Sequence, residues 1–459
     1  MSTYRLQTLA GILAGPEMAA IADRERDTVR QHVADTVGAW VAATATAEGR
    51  ALIRFRAAQA GEERGAAGVE APTPLGLALD VATHCGLARL SEADDIHLRS
   101  MVTPGAIVVP AAIVLAAAWS KPDGPPADIG AAIVAGYEAM VRLGLAIDGP
   151  ASLYRGIWPT YLAAPFGVAA AAARLMELDA AQTTQALSLA LTMTAPGVGQ
   201  QGGATTARWL AAGNAARTGL MAAEAARAGF SADPGLLDGP FFEKVYGIAP
   251  DLEAFAAGAG PAIAETSFKP WCAARQTMAA TQAALDITRA VPVAEIFEIE
   301  TFVLPPHLRM IDHGVVPGER MSYLTSLPYQ IALALLAPEA ALDIAKADPV
   351  MTPEIAALMA KVRITADESL LVDYPGQWPA RIVVSAMAGR HERTVRHVPG
   401  DPERPLPAEA LVAKFRRLAA PVAGEAGADA LLDAAIHIGA DGAAASRLLR
   451  GIEALYSRA

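Results

Sequence analysis

Ile296-Phe297-Glu298-Ile299-Glu300-Thr301-Phe302-Val303 carries the two-residue period of a half-buried strand. No stretch before about residue 260 has that period. From Pro16 to about Gly260 the apolar residues recur at helical spacing. Val29, Val33, Val37 and Trp40 lie along one face of Thr28–Ala43, and Ile129–Ala146, Ala181–Thr192 and Ala207–Ala228 repeat the pattern. Gly and Pro clusters (Gly124-Pro125-Pro126, Pro196-Gly197, Asp233-Pro234-Gly235) punctuate these segments. After Pro261 the texture changes. A helix at Pro353–Lys361 precedes a second strand, Val362-Arg363-Ile364-Thr365, and Ala380–Met387 and His391–Val398 flank Ala388-Gly389-Arg390 as a hairpin. Helical periodicity returns at Pro407–Leu418 and Gly427–Arg450. The expected fold is mainly α with a smaller α+β domain. A large helical domain uses both chain ends (1–264 and 401–459), and an inserted lid domain (265–400) carries a small antiparallel sheet.

The totals agree with that outline. The 459 residues exceed what one core serves, and 53% are hydrophobic, so burial is ample. Abundant alanine with few aromatics favours close-packed helices. A net charge of −11 argues against a nucleic-acid partner, which needs a basic face. The longest apolar runs, near Ala106–Ala118 and Leu162–Ala173, are too short to span a bilayer, so no membrane association is expected. Only Cys85 and Cys272 are present, and no apolar signal core follows Met1-Ser2-Thr3-Tyr4-Arg5. A cytoplasmic setting fits.

Chemistry concentrates in Glu92-Ala93-Asp94-Asp95-Ile96-His97, which runs through Pro104-Gly105 into the apolar Ala106–Ala118 segment. Ionisable groups at the lip of a buried helix cost solvation energy unless they pair or react. Lys269, in Ser267-Phe268-Lys269-Pro270-Trp271, loses solvation against a Pro-Trp wall and becomes a usable acid or base; the plain alternative is a snorkelling surface lysine. Tyr154-Arg155-Gly156-Ile157-Trp158-Pro159-Thr160 offers a guanidinium fork between aromatic walls, a carboxylate-binding composition or else a turn with an exposed arginine. Glu138 and Arg142 stand at the spacing of a helical ion pair. Gly197-Val198-Gly199-Gln200-Gln201-Gly202 matches the dinucleotide fingerprint by letter, but the preceding Gln182–Thr192 reads as helix rather than strand. No nucleotide cofactor is expected. The glycines instead let backbone approach a site closely, which makes Gln201 a candidate substrate contact. No metal is expected, since no second ligand cluster joins Asp94, Asp95 and His97.

In this order these segments resemble the 2-methylcitrate dehydratase (MmgE/PrpD) family, which also includes cis-aconitate decarboxylase and iminodisuccinate epimerase. The resemblance begins at Ala34-Asp35-Thr36-Val37-Gly38 and continues through Asp94-Asp95-Ile96-His97-Leu98, Pro104-Gly105, Gly136-Tyr137-Glu138 and Arg142-Leu143-Gly144. It then takes in Arg155-Gly156 with Pro159-Thr160, Leu210 with Gly213, Lys269-Pro270 and Ser326-Leu327-Pro328-Tyr329. It implies a helical domain with a lid, a site between them, no required cofactor and a homodimer. Asp95, His97 and Lys269 match the family's residue types and carry over as catalytic candidates. The chain departs from the pattern where Arg89, Thr103, Trp158, Ala211 and Met278 replace histidines and Arg208 replaces a lysine. Arginines that do not titrate thus take the place of proton-transfer groups. Arg89, Arg155, Arg208 and Arg275, with Tyr154 and Trp158, are the substrate-binding candidates. The reaction implied is a lyase or isomerase step next to a carboxylate of a small di- or polycarboxylate. The alternative is a non-catalytic helical scaffold or ligand-binding member of the same fold.

Overall fold

The computed structural model describes residues 4–64, 73–119, 128–195, 205–256, 261–344 and 349–458. By its internal contacts the chain forms two units. One takes its described residues from 4–195, 206–266 and 407–458, the other from 205 and 267–406.

The described part of the first unit is helical. It holds three helices that are mostly apolar and mostly buried: Gly105–Trp119, Ile129–Ala146 and Pro159–Leu175. Ile129–Ala146 is long and apolar enough to cross a membrane, yet 89% of it is buried inside the fold. Its start is fixed by Asp128, whose carboxylate accepts from Ala131 N–H at 3.0 Å. The expected Glu138–Arg142 pair forms at 2.9 Å and is buried. Helix Ala207–Arg227 packs close because two of its positions lack a side chain. A Cβ on Gly213 would stand 2.2 Å from the Ala82 carbonyl oxygen, and one on Gly219 would stand 2.4 Å from that of Pro165. Helix Ala408–Ala423 from the C-terminal stretch is docked by a buried ion pair, Lys414 Nζ to Asp35 Oδ1 at 2.6 Å. Gly427–Arg450, expected as one helix, is two: Glu425–Ile436 and Ala444–Glu453. The chain turns between them at Gly439, in the left-handed region (φ +77°).

The second unit holds a four-stranded sheet. Its strands are β1 (Ile296–Val303), β2 (Val362–Ala366), β3 (Ala380–Ala386) and β4 (Gly389–Val395), in the order β2-β1-β3-β4. From Ile299 onward β1 buries alternate residues, as its period required, while Phe297 stays out at 62% exposure. Ile299, Val303, Ile382 and Val384 face a core shared with helices Arg275–Thr288 and Leu327–Leu336. The sheet was expected to be antiparallel but is mixed. β1 pairs with β2 in parallel, because the long connection between them crosses over and returns in the same direction. β3 and β4 form the expected hairpin, with Ala386 opposite Gly389 and only Met387-Ala388 in the turn.

Candidate active site

The loop between helices Pro74–Leu90 and Gly105–Trp119 carries the charged stretch, and it is folded back on itself. His97 N–H donates to the Val102 carbonyl at 2.9 Å, and Glu92 and Met101 adopt left-handed backbone (φ +57° and +56°). Asp94 and Asp95 are fully buried. Asp95 Oδ1 accepts from Gly105 N–H at 2.8 Å and so caps the start of the buried helix, where its charge also meets the helix dipole. Its Oδ2 accepts from Tyr137 O–H at 2.6 Å and lies 2.8 Å from His32 Nδ1. Burial and the adjacent Asp95 charge hold the Tyr137 phenol well above its ordinary range, so it remains a donor. Behind this group, Lys414 Nζ donates to the Ala93 carbonyl at 2.9 Å as well as to Asp35. Desolvation still raises the Asp35 carboxyl, against the pull of Lys414.

His97 is 2% exposed, and its tautomer follows from its contacts. Ser100 N–H can only donate, and it reaches Nδ1 at 3.2 Å, so Nδ1 is the acceptor and the ring proton of the neutral form sits on Nε2. That nitrogen lies 3.6 Å from Glu265 Oε2. The interaction with His97 lowers the Glu265 carboxyl, so the pair favours an ionised, half-exposed carboxylate beside a buried imidazole N–H.

The four candidate arginines are in different states. Arg89 is buried and held between Glu92 (3.1 Å) and Asp94 (3.2 Å), whose charges raise it further above its ordinary value despite burial. Arg155 is exposed and donates to the Gly247 and Tyr246 carbonyls at 2.9 Å each, closing the C-terminus of helix Phe241–Tyr246. Tyr154 beside it is half-buried. Arg208, at the start of helix Ala207–Arg227, lies over two indoles, with Cζ 4.6 Å from the Trp158 ring centre and 5.2 Å from that of Trp209. Trp158 in turn stacks on Tyr161 with centroids 5.6 Å apart. Thr103, just before the Gly105–Trp119 helix, donates its N–H to Thr160 Oγ1 at 3.2 Å. The starts of three helices therefore meet around this aromatic–guanidinium group.

In the second unit Lys269 is buried, 2% exposed. The residue before it is pinned: Phe268 N–H donates to the Gly400 carbonyl at 2.9 Å. Gly400 adopts φ +105°, and a Cβ there would fall 2.4 Å from the Phe268 carbonyl oxygen. Arg275 is buried and its Nη2 reaches both Asp401 oxygens, at 2.8 and 2.7 Å. Burial, helped by the Arg275 charge, pushes His307 down to about 3, so it is neutral at neutral pH; its ring centroid lies 4.9 Å from that of Trp378. Gln201 lies outside the described residues. Sequence reasoning named Asp95, His97, Arg208 and Trp158. It passed over His32, Tyr161, Trp209, Glu265 and Lys414, which meet them only through the fold.

A helical body bearing an acid–base loop at the mouth of a buried helix, with an α+β unit carrying a buried lysine, is an enzyme-like organisation. The chain belongs to the MmgE/PrpD family: the family's N-terminal domain matches residues 7–250 and its C-terminal domain residues 271–438. Those domains point to chemistry of the dehydratase or lyase type. No curated protein gives a significant match.

Proposed function

We propose that this protein is a cofactor-independent lyase or isomerase that removes a proton from the carbon next to a carboxylate of a small di- or polycarboxylate, acting as a cytoplasmic homodimer. Lys269 takes the proton as base, and the electron pair of the broken C–H bond moves onto the neighbouring carboxylate. In the lyase form the His97 imidazolium, its charge balanced by Glu265, gives its Nε2 proton to the leaving group as the bond to that group breaks and is left as a neutral ring. In the isomerase form a proton returns to the same carbon from its opposite face. Asp95 acts on neither atom. It fixes the loop that carries His97.

The observation that carries this reading is the buried His97 with its proton on Nε2 beside the ionised Glu265. A ring so placed can take up a second proton against the Glu265 charge and deliver one to a leaving group. The burial of Lys269, 2% exposed, is the second support, because it keeps the amine out of bulk water. The test is turnover of Lys269→Met measured beside its thermal unfolding. The expected result is activity lost by about a thousandfold or more with the melting curve intact. Full activity in that variant removes the proposed base.

A further inference from the structure

Of the four arginines the sequence offers for carboxylates, three are engaged by the protein itself: Arg89 by Glu92 and Asp94, Arg155 by two carbonyls, Arg275 by Asp401. Arg208 differs. Among the described residues its contacts are the faces of Trp158 and Trp209, and no carboxylate or carbonyl accepts from its N–H edge. A guanidinium packed against indoles keeps that edge for an in-plane carboxylate.

Tyr161 supplies the second, independent observation. It is 2% exposed, and among the described residues its hydroxyl has no hydrogen-bond partner. Leaving such a group unmade costs its full desolvation, a cost removed when a ligand oxygen accepts from it. Burial raises the phenol, although the charges of Arg89 and Arg208 pull the other way, so it stays protonated and donates. Trp158 and Tyr161 stand at the start of the seventeen-residue helix Pro159–Leu175, and Arg208 and Trp209 at that of the twenty-one-residue helix Ala207–Arg227. Both positive helix ends add to the field on an anion.

The neighbouring side chains decide what the anion is attached to. Around Tyr161 and Arg208 stand the Trp158 ring, the buried Trp209 ring, and Thr103 and Thr160, which are bonded to each other. The described residues offer one uncommitted guanidinium and one hydroxyl, which suffices for one carboxylate. Among the described residues a hydroxyl-bearing guest such as citrate would find no further uncommitted donor there. Trp158 also stands where the family pattern has histidine, so an aromatic face has replaced a polar one.

We propose that Tyr161 and Arg208 form a subsite for one carboxylate end of the di- or polycarboxylate substrate, and that Trp158 and Trp209 make this end select an acid with an aryl or extended conjugated body over a hydroxylated one. This deepens the reaction proposed above and rests on its claim that a carboxylate is the substrate's handle. The test is equilibrium binding by calorimetry on the full chain, with cinnamate and citrate as probes and no turnover required. Cinnamate is expected to bind at least tenfold tighter than citrate. Tyr161→Phe should weaken cinnamate about tenfold while leaving the ligand-free melting temperature unchanged or higher, since it removes a buried hydroxyl without a partner. Trp158→His should narrow the preference at least threefold. Equal affinity for the two acids, or Tyr161→Phe binding cinnamate like the wild type, overturns the proposal. The two readings fail separately. Tight cinnamate binding with full activity in Lys269→Met would leave the subsite and remove the base. Loss of activity in Lys269→Met without acid discrimination would do the reverse.

Discussion

Asp95 receives hydrogen bonds from Gly105 N–H and Tyr137 O–H and touches His32 Nδ1, so its carboxylate has nowhere to go. A Cβ on Gly105 would stand 2.6 Å from Asp95 Oδ2. Gly105→Ala therefore breaks the cap or displaces the loop, and about 1–3 kcal/mol of stability is expected to go, read as a lower urea midpoint at unchanged slope. An unchanged midpoint would show that the carboxylate yields. His307 gives a pH prediction at the same scale. Folded, it protonates only near 3; unfolded, near 6.5, so between those values the unfolded chain holds the extra proton. Stability is then full above 6.5 and falls as the pH drops toward 3, by about 1.4 kcal/mol per pH unit from this residue. His307→Phe keeps a ring beside Trp378 and should flatten that slope in denaturation measured from pH 7 to 3.5; an identical slope contradicts the burial argument. The sequence exposed Asp95 and His97 through their charge at the lip of an apolar run. It could not expose the contacts of His32 and Tyr137 with Asp95, 63 and 42 residues away, nor Tyr161, whose importance is a partner missing in space.

At the scale of elements, the C-terminal helix Ala408–Ala423 reaches the loop that bears Asp95 through Lys414, which holds both Asp35 and the Ala93 carbonyl. Removing one member of a buried ion pair leaves the other charge uncompensated, so Lys414→Met is expected to cost about 3–5 kcal/mol. Adding Asp35→Leu should recover most of that loss in equilibrium unfolding. A single variant as stable as the wild type would mean that the pair contributes nothing. Mostly apolar helices were the most legible elements: Ile129–Ala146 is bounded by the residues its spacing indicated. Periodicity misled at Gly427–Arg450, where apolar spacing runs on through Ile438 while Gly439 and Gly442 mark the turn. Strand positions were readable from the period of two. Their directions were not, because a parallel and an antiparallel neighbour present the same alternation, and β2 pairs in parallel.

At the scale of the whole molecule, two units share one chain, and the first is completed only when the chain returns at Pro407. Three of the six departures from the family pattern have a structural setting of their own: Arg89 an ion cluster, Trp158 a stack, Thr103 a hydroxyl partner. The proposed function asks Lys269 and His97, each buried, to move a proton at the carbon next to a carboxylate. Proton NMR of small carboxylic acids incubated with the protein in D2O reads that chemistry directly. The account predicts deuterium entering the carbon next to a carboxylate with the wild-type protein and not with Lys269→Met or His97→Gln. Exchange at the same rate in all three proteins would contradict it.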